Sequence, residues 1–352
     1  MKKRELTKPV YVGGVKIGGG KVIIQSMCNT QTADIPATID QINELKDAGC
    51  EIVRLAVPDM ASAMAFDKIC SKAKIPVVAD IHFDYKLALE CINNGASKIR
   101  INPGNIGGKD RVKLVADACK NRKIPIRIGV NMGSIDEEIE NRLGRTPLAM
   151  VESAFMHINL LNECDFDDII ISLKASDVEK TVQAYRLISE RAGIYPLHIG
   201  VTEAGTAYSG LIKSSIGIGA LLLDGIGDTI RVSLTANPVE EIKAARAILR
   251  ATGITNGGIE LISCPSCGRC KIDQVRIANE VEAAIAKIDK PLKVAVMGCV
   301  VNGPGEAKDA DIGIAGGDGC AILFKKGEII RKIPESEIVA TLISEINEIG
   351  EL

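Results

Sequence analysis

Aromatic residues are scarce in this chain of 352 residues, which has five tyrosines, five phenylalanines and no tryptophan. That leaves too little ring surface for base-stacking platforms or a carbohydrate cleft. An excess of either charge is also missing, because 43 Lys and Arg face 45 Asp and Glu and leave a net charge of -2. Without a basic field, no nucleic-acid partner is expected and any anion must be bound locally. Long apolar runs are absent: the longest uninterrupted stretches are about eight residues, against the ~18 that a membrane span needs, so no membrane association is expected. The opening MKKREL runs into TKPVYVGGVKIGGG without an apolar h-region, so it does not read as a signal peptide and the expected location is cytoplasmic.

What remains is ordinary globular material, 46% hydrophobic and 25% charged. Single cores stop growing at roughly 250 to 300 residues, so the length predicts one large domain and a smaller one. Eleven cysteines are many for a reducing compartment, yet their odd number and scatter do not describe a disulfide framework. Cys28, Cys50, Cys70, Cys91, Cys119 and Cys164 stand alone and read as small buried hydrophobes, whereas Cys264, Cys267 and Cys270 are clustered.

Eight short β-branched runs alternate with helical periodicity: 22–27, 51–57, 76–83, 98–104, 125–131, 168–175, 196–202 and 229–235. Between them lie amphipathic segments such as 37–49 and 84–96, several ending at Gly. Strict alternation demands a parallel sheet, and eight units match an α/β fold of the (β/α)8 TIM-barrel type. No GxGxxG turn follows the first strand, which argues against a dinucleotide fold. The glycine-rich stretch 13–21 precedes that strand and reads as a small hairpin plugging the barrel floor. The last barrel helix is expected at 238–253, closing a domain of residues 1–254. A small α+β domain, 255–352, follows, with strands at 258–263, 292–298, 311–315 and 320–325 and helices at 275–288 and 335–349.

Catalytic groups of such barrels come from the C-terminal ends of strands. In chain order those ends offer Ser26, Arg54, Asp80, His82, Arg100, Asn102, Arg127, Asn131, Lys174, His198, Glu203, Arg231 and Ser233. Five strands deliver a cation to one rim, which points to a phosphate or diphosphate ester, since guanidinium forks match phosphate oxygens. Asp80, His82 and Glu203 supply acid and base candidates. His157, inside the helical stretch ESAFMHINLL, reads as structural.

Residues 264–270 read CPSCGRC and 297–306 read MGCVVNGPGE. A C-x2-C arm with a distant cysteine is compatible with zinc or with an iron–sulfur cluster. Cys264, Cys267, Cys270 and Cys299 compete for the positions, and Glu306 beyond the tight Asn302–Gly305 loop could complete a three-thiolate site as a harder, displaceable ligand. Two rival readings are a lyase barrel with a structural zinc and an iron–sulfur carrier without chemistry of its own.

VRLAVP, ADIHFD, IRINPGN, RIGVN, SLKAS and RVSLT, followed by CPSCGR and MGCVVNGPGEA, resemble the bacterial 4-hydroxy-3-methylbut-2-enyl diphosphate synthase family of the methylerythritol phosphate route to isoprenoids. The resemblance runs through nearly the whole chain. It implies a [4Fe-4S] cluster held by Cys264, Cys267 and Cys299 with Glu306 on the fourth iron, which leaves Cys270 a bystander. It implies 2-C-methyl-D-erythritol 2,4-cyclodiphosphate as substrate, held by Arg54, His82, Arg100, Asn102, Arg127, Asn131, Lys174, Arg231, Ser233 and Asn302, with Asp80, Glu203 and Glu306 as the catalytic set. It further implies ferredoxin or flavodoxin as donor of single electrons. A homodimer is implied too, the cluster domain of one subunit closing the barrel of the other.

Overall fold

The computed structural model describes residues 3–102, 105–255, 257–286, 288, 290–300, 305 and 307–349. They form two compact units, Met1–Ile254 and Thr255–Leu352.

In the first unit, β1 (Val10–Val12) and β2 (Val15–Ile17) form an antiparallel hairpin. The barrel strands are β3 (Ile23–Met27), β4 (Ile52–Ala56), β5 (Val77–Asp80), β6 (Lys98–Ile101), β7 (Ile126–Asn131), β8 (Ile169–Lys174), β9 (His198–Ile199) and β10 (Thr229–Ile230). They pair in parallel in the order β8-β7-β6-β5-β4-β3-β10-β9, and a bridge from Ile171 to Leu197 brings the two ends of the sheet together. The expected TIM barrel is therefore present, with strands shorter than the sequence pattern suggests.

The outer helices are α1 (Ile35–Asp47), α2 (Met60–Lys72), α3 (Tyr85–Asn93), α4 (Lys109–Arg122), α5 (Glu137–Leu143), α6 (Pro147–Asn162), α7 (Val178–Arg191), α8 (Ala207–Leu223) and α9 (Pro238–Ala251). Most start where an Asp, Asn or Thr side chain accepts a backbone N–H of the first turn, as Asp34, Asp59, Asp84, Thr146, Asp177 and Asn237 do. Each such cap contributes about 1 kcal/mol and fixes where a strand-to-helix loop ends. The short helix α5 has no counterpart in the sequence reading.

The hairpin lies earlier than the glycine-rich stretch suggested. It turns at Gly13 and Gly14, whose φ values of 53° and 87° suit a two-residue hairpin loop. Val10, Val12 and Ile17 pack with Ile23, Ile52, Val78 and Ile170, forming an apolar floor under the barrel. Of the isolated cysteines, Cys28, Cys50, Cys91, Cys119 and Cys164 are buried. Burial pushes the Cys28, Cys50 and Cys70 thiols up to about 12, which keeps them inert. His157 is buried in α6, and burial lowers it to about 4.

The second unit is a five-stranded sheet of β11 (Glu260–Ser263), β12 (Lys293–Met297), β13 (Ile312–Gly317), β14 (Cys320–Lys325) and β15 (Glu328–Pro334) in that order. The first three strands are parallel and the last three antiparallel. Helices α10 (Gln274–Ile285) and α11 (Ile338–Glu348) bury Ile277, Val281, Ile338, Leu342 and Ile346 against Val294, Val296, Ile312 and Ile314. The edge strand β15 is an addition to the expected set; six of its seven residues are exposed, so it carries no alternation to read. Among the described residues, no helix is long and apolar enough to cross a membrane.

Candidate functional site: the barrel interior and a cysteine-bearing strand edge

Side chains alternate along a strand, so every second residue of a barrel strand enters the interior. On β7, Ile126, Ile128 and Val130 join the apolar layer under the helices, which turns Arg127, Gly129 and Asn131 inward. By the same alternation β6 directs Lys98 and Arg100 inward, and β8 directs Ser172 and Lys174. Barrel interiors are usually packed with Val, Ile and Leu. Above its apolar floor this one is polar, and Lys98, Arg100, Arg127, Lys174 and His198 are all buried. The cations were expected on a rim. Arg127 lies deeper than that, as the second residue of a six-residue strand, whereas Lys174 ends β8 and Arg231 follows β10.

Asp80 ties two guanidiniums together, its Oδ1 lying 3.2 Å from Arg100 Nη1 and its Oδ2 3.6 Å from Arg54 Nε. Arg54 also donates to the soft sulfur of Met27, at 3.1 Å from Nε and 2.9 Å from Nη2. Arg100 also donates to the Gly129 carbonyl at 3.4 Å. A Cβ at Gly129 would drive into that guanidinium, so glycine is required for Arg100 to lie across the barrel. At Gly200 a Cβ would strike the Arg231 carbonyl and come within 3.0 Å of Lys174 Nζ. Lys174 Nζ sits 3.3 Å from His198 Nε2, and His198 Nδ1 is 2.7 Å from Thr229 Oγ1.

Two contributors escaped the sequence reading. Lys98, fully buried, donates to Gln25 Oε1 at 3.0 Å. Glu241, in the first turn of α9, accepts from Ser26 Oγ at 3.0 Å, from Leu234 N at 3.0 Å and from Arg231 Nη2 at 3.4 Å. A lysine at a strand start and an acid at a helix start look like surface residues until the barrel closes. Lys98 does share a strand face with Arg100, which was the available signal.

The charges do not balance. Among the described residues six basic side chains, Arg54, Lys98, Arg100, Arg127, Lys174 and Arg231, meet two carboxylates, Asp80 and Glu241. Arg127 Nε and Nη1, Arg100 Nε and Arg231 Nε are buried without a hydrogen-bond partner. Burial opposes ionisation of Asp80, but Arg54, Arg100 and Arg127, then His82, outweigh it and hold the carboxyl down at about 2. Burial lowers Arg54 to about 10, partly offset by Asp80. Unpaired donors and surplus positive charge in a buried site suit a multiply charged oxyanion.

The remaining predicted residues sit further out. Asn102 is buried and donates from Nδ2 to the Ser134 carbonyl at 3.2 Å. Asn131 and Ser233 are half-buried. His82 and Glu203 lie exposed on the loops after β5 and β9. Glu203 adopts φ 51°, a left-handed conformation uncommon for a residue with a side chain and often held at functional loops.

In the second unit Cys264 directly follows β11 and Cys299 follows β12, its parallel neighbour. The Gly298 N–H donates to Cys264 Sγ at 3.2 Å. Cys267 is exposed, and the backbone N–H of Arg269 and then its side chain lower the thiol from its ordinary value, favouring thiolate. Cys270 is half-buried, donates to the Ile272 carbonyl at 3.2 Å and packs on Gly298, where a Cβ would come within 2.7 Å. Among the described residues no three Cys, His, Asp or Glu side chains stand close enough to hold a metal ion. Asn302 and Glu306 lie outside the described residues.

Known proteins show the same two-part arrangement. The GcpE TIM-barrel domain matches residues 7–246 and the GcpE protein C-terminal domain matches 260–348. The 4-hydroxy-3-methylbut-2-en-1-yl diphosphate synthase (flavodoxin) of Ruminiclostridium cellulolyticum is 58% identical over 98% of both chains. Its namesake in Clostridium acetobutylicum is 57% identical over 97% of this chain and 98% of its own. Among solved structures, the dihydropteroate synthase of Yersinia pestis superposes with a TM-score of 0.51 at 12% identity, covering 70% of this chain and 99% of that one. That likeness shows a shared barrel fold and nothing more. With both domains matched and full-length relatives above half identity, the chain is an enzyme of the GcpE family, that of the 4-hydroxy-3-methylbut-2-en-1-yl diphosphate synthases.

Proposed function

We propose that the enzyme converts 2-C-methyl-D-erythritol 2,4-cyclodiphosphate to 4-hydroxy-3-methylbut-2-enyl diphosphate by two-electron reductive ring opening and loss of water, in the making of isoprenoid precursors. The observation that carries this reading is the barrel interior, where buried guanidinium nitrogens of Arg100, Arg127 and Arg231 lack partners among the described residues. In this reading residues 1–254 bind substrate and residues 255–352 hold the cofactor, a [4Fe-4S] cluster. The donor set fits such a cluster in chemistry, because Cys264 and Cys299 end adjacent parallel strands and Cys267 favours thiolate. Those three would be its thiolate ligands and Glu306 the fourth. When bound, the cluster supplies electrons one at a time and a Lewis-acidic iron.

Arg54, Arg100, Arg127, Lys174 and Arg231, with Asn102, Asn131 and Ser233, bind the diphosphate, His82 closes over it from its loop, and Asn302 contacts the substrate. Asp80 stays a carboxylate far below neutral pH, so it orients Arg54 and Arg100 rather than donating a proton. Glu203, held on a strained turn at the open end of β9, is left as the residue that handles a proton at the carbon skeleton. Glu306 completes the catalytic set. The relatives' name supports flavodoxin as the electron donor, with ferredoxin the alternative. A homodimer is supported by an apolar stripe on α8, where Tyr208, Ile212, Ile216 and Leu223 are exposed.

The test is an anaerobic preparation assayed for iron, sulfide and conversion of the cyclic diphosphate with reduced flavodoxin. About four irons and four sulfides per chain, with turnover, are expected. One zinc and no colour would remove the redox chemistry. Glu306→Ala should retain most of the iron and lose turnover.

A further inference from the structure

The two barrel lysines share one feature: the hydrogen-bond partners of their side-chain nitrogens carry no charge. Lys98 Nζ meets the carboxamide oxygen of Gln25 at 3.0 Å, and Lys174 Nζ meets His198 Nε2 at 3.3 Å. Neither appears in an ion pair among the described residues, whose two interior carboxylates are taken, Asp80 by Arg54 and Arg100 and Glu241 by Arg231. Asp80 on β5, the strand beside β6, is the carboxylate nearest in the ladder to Lys98, and it is held by Arg54 and Arg100. Lys98 on β6 faces Gln25 on β3, Arg54 on β4 and Arg127 on β7. Lys174 on β8 faces Arg127, His198 on β9, Arg231 beyond β10, and Arg54 and Arg100 across the barrel.

We propose that Lys98 and Lys174 are neutral amines in the free barrel, and that an anion entering among the guanidiniums brings a proton onto them, so that anion binding and proton uptake are one event. The inference rests on the reading of the barrel as the site of an anionic substrate. Burial, and then the neighbouring guanidiniums, lower both lysines well below their ordinary range. His198 is depressed first of all by burial, so it cannot serve as the proton store. A phosphate-like dianion reverses the sign of the local field, and an opposite charge within about 4–6 Å favours the ammonium form. The proton comes from solvent and no other bond changes.

The experiment uses the cluster-loaded protein and inorganic sulfate, a dianion with no proton to exchange near neutrality. Its affinity is measured by titration calorimetry from about pH 6 to about pH 9, in buffer pairs of different ionisation enthalpy. Affinity should weaken about tenfold per pH unit for each proton taken up, and the buffer pairs should show that uptake directly. K98M should bind sulfate with a shallower pH slope than the parent. Should K98M not fold, K174M carries the same comparison. Sulfate bound equally at every pH with no proton exchange overturns the proposal and leaves the anion site standing. A parent slope retained in full by both K98M and K174M overturns it as well. Failure to bind sulfate at any pH overturns the anion-site reading itself, and the proposal with it.

Discussion

Replacing Asp80 by Asn removes one of two negative charges from the barrel interior while conserving shape. The carboxyl is held at about 2 against an ordinary 3.8, and each pKa unit is worth about 1.4 kcal/mol, so its ionised form gains roughly 2 kcal/mol from the fold. The sign follows from the depressed value: this contribution is present above the ordinary Asp range and is lost as pH falls through about 2. The substitution does more than forfeit it, because Arg54 and Arg100 are left buried and facing one another. Breaking a buried pair on one side costs about 3–5 kcal/mol. At about 2–4 °C per kcal/mol for a domain of this size, the barrel transition of Asp80→Asn should fall by roughly 10 °C at neutral pH. The assay is thermal unfolding followed by circular dichroism, with and without sulfate. Sulfate should restore part of the loss in the variant, because an added anion does electrically what the carboxylate did. A variant melting within about 1 °C of the parent in the absence of anions would refute the claim that Asp80 balances this cluster.

Arg127→Met removes a buried guanidinium with two unpartnered nitrogens, so it should leave stability unchanged or raise it by about 1–4 kcal/mol in urea titrations while abolishing anion binding. Asp228 is raised by burial to about 6, against the opposing hydrogen bonds from Thr7 Oγ1 at 2.6 Å and Leu197 N at 2.7 Å. Its stabilising contribution is therefore complete below the ordinary value of 3.8 and lost as pH rises through about 6, on the order of 3 kcal/mol. Urea midpoints should fall across that window in the parent and stay flat in Asp228→Asn. Glu241→Gln weakens the hold on Arg231, and steady-state kinetics should show KM rising about tenfold with a smaller change in kcat.

The eight barrel strands were legible because their outward residues are β-branched and repeat at every second position, as Ile126, Ile128 and Val130 do. Strand ends were less legible. Residues such as His82 and Glu203 follow the last ladder bond, and nothing in the alternation marks where pairing stops. β15 was invisible for a related reason, since EIIRKIP buries one side chain and pairs only along one edge. The cationic character of the site could be read from Arg54, Arg100 and Arg127, but its depth could not. Depth depends on the hairpin beneath and on glycines at positions 129 and 200, whose missing side chains matter only after opposite strands face each other.

The hairpin floor makes the barrel a blind well. Val10, Val12 and Ile17 seal the end where the strands begin, so whatever reaches Lys98 and Arg127 must enter and leave past the strand C-termini. Under the proposed function, a product held by the guanidiniums would leave by the same end through which the next substrate enters. On that reading, exchange would be sequential and emptying of the well would cap turnover.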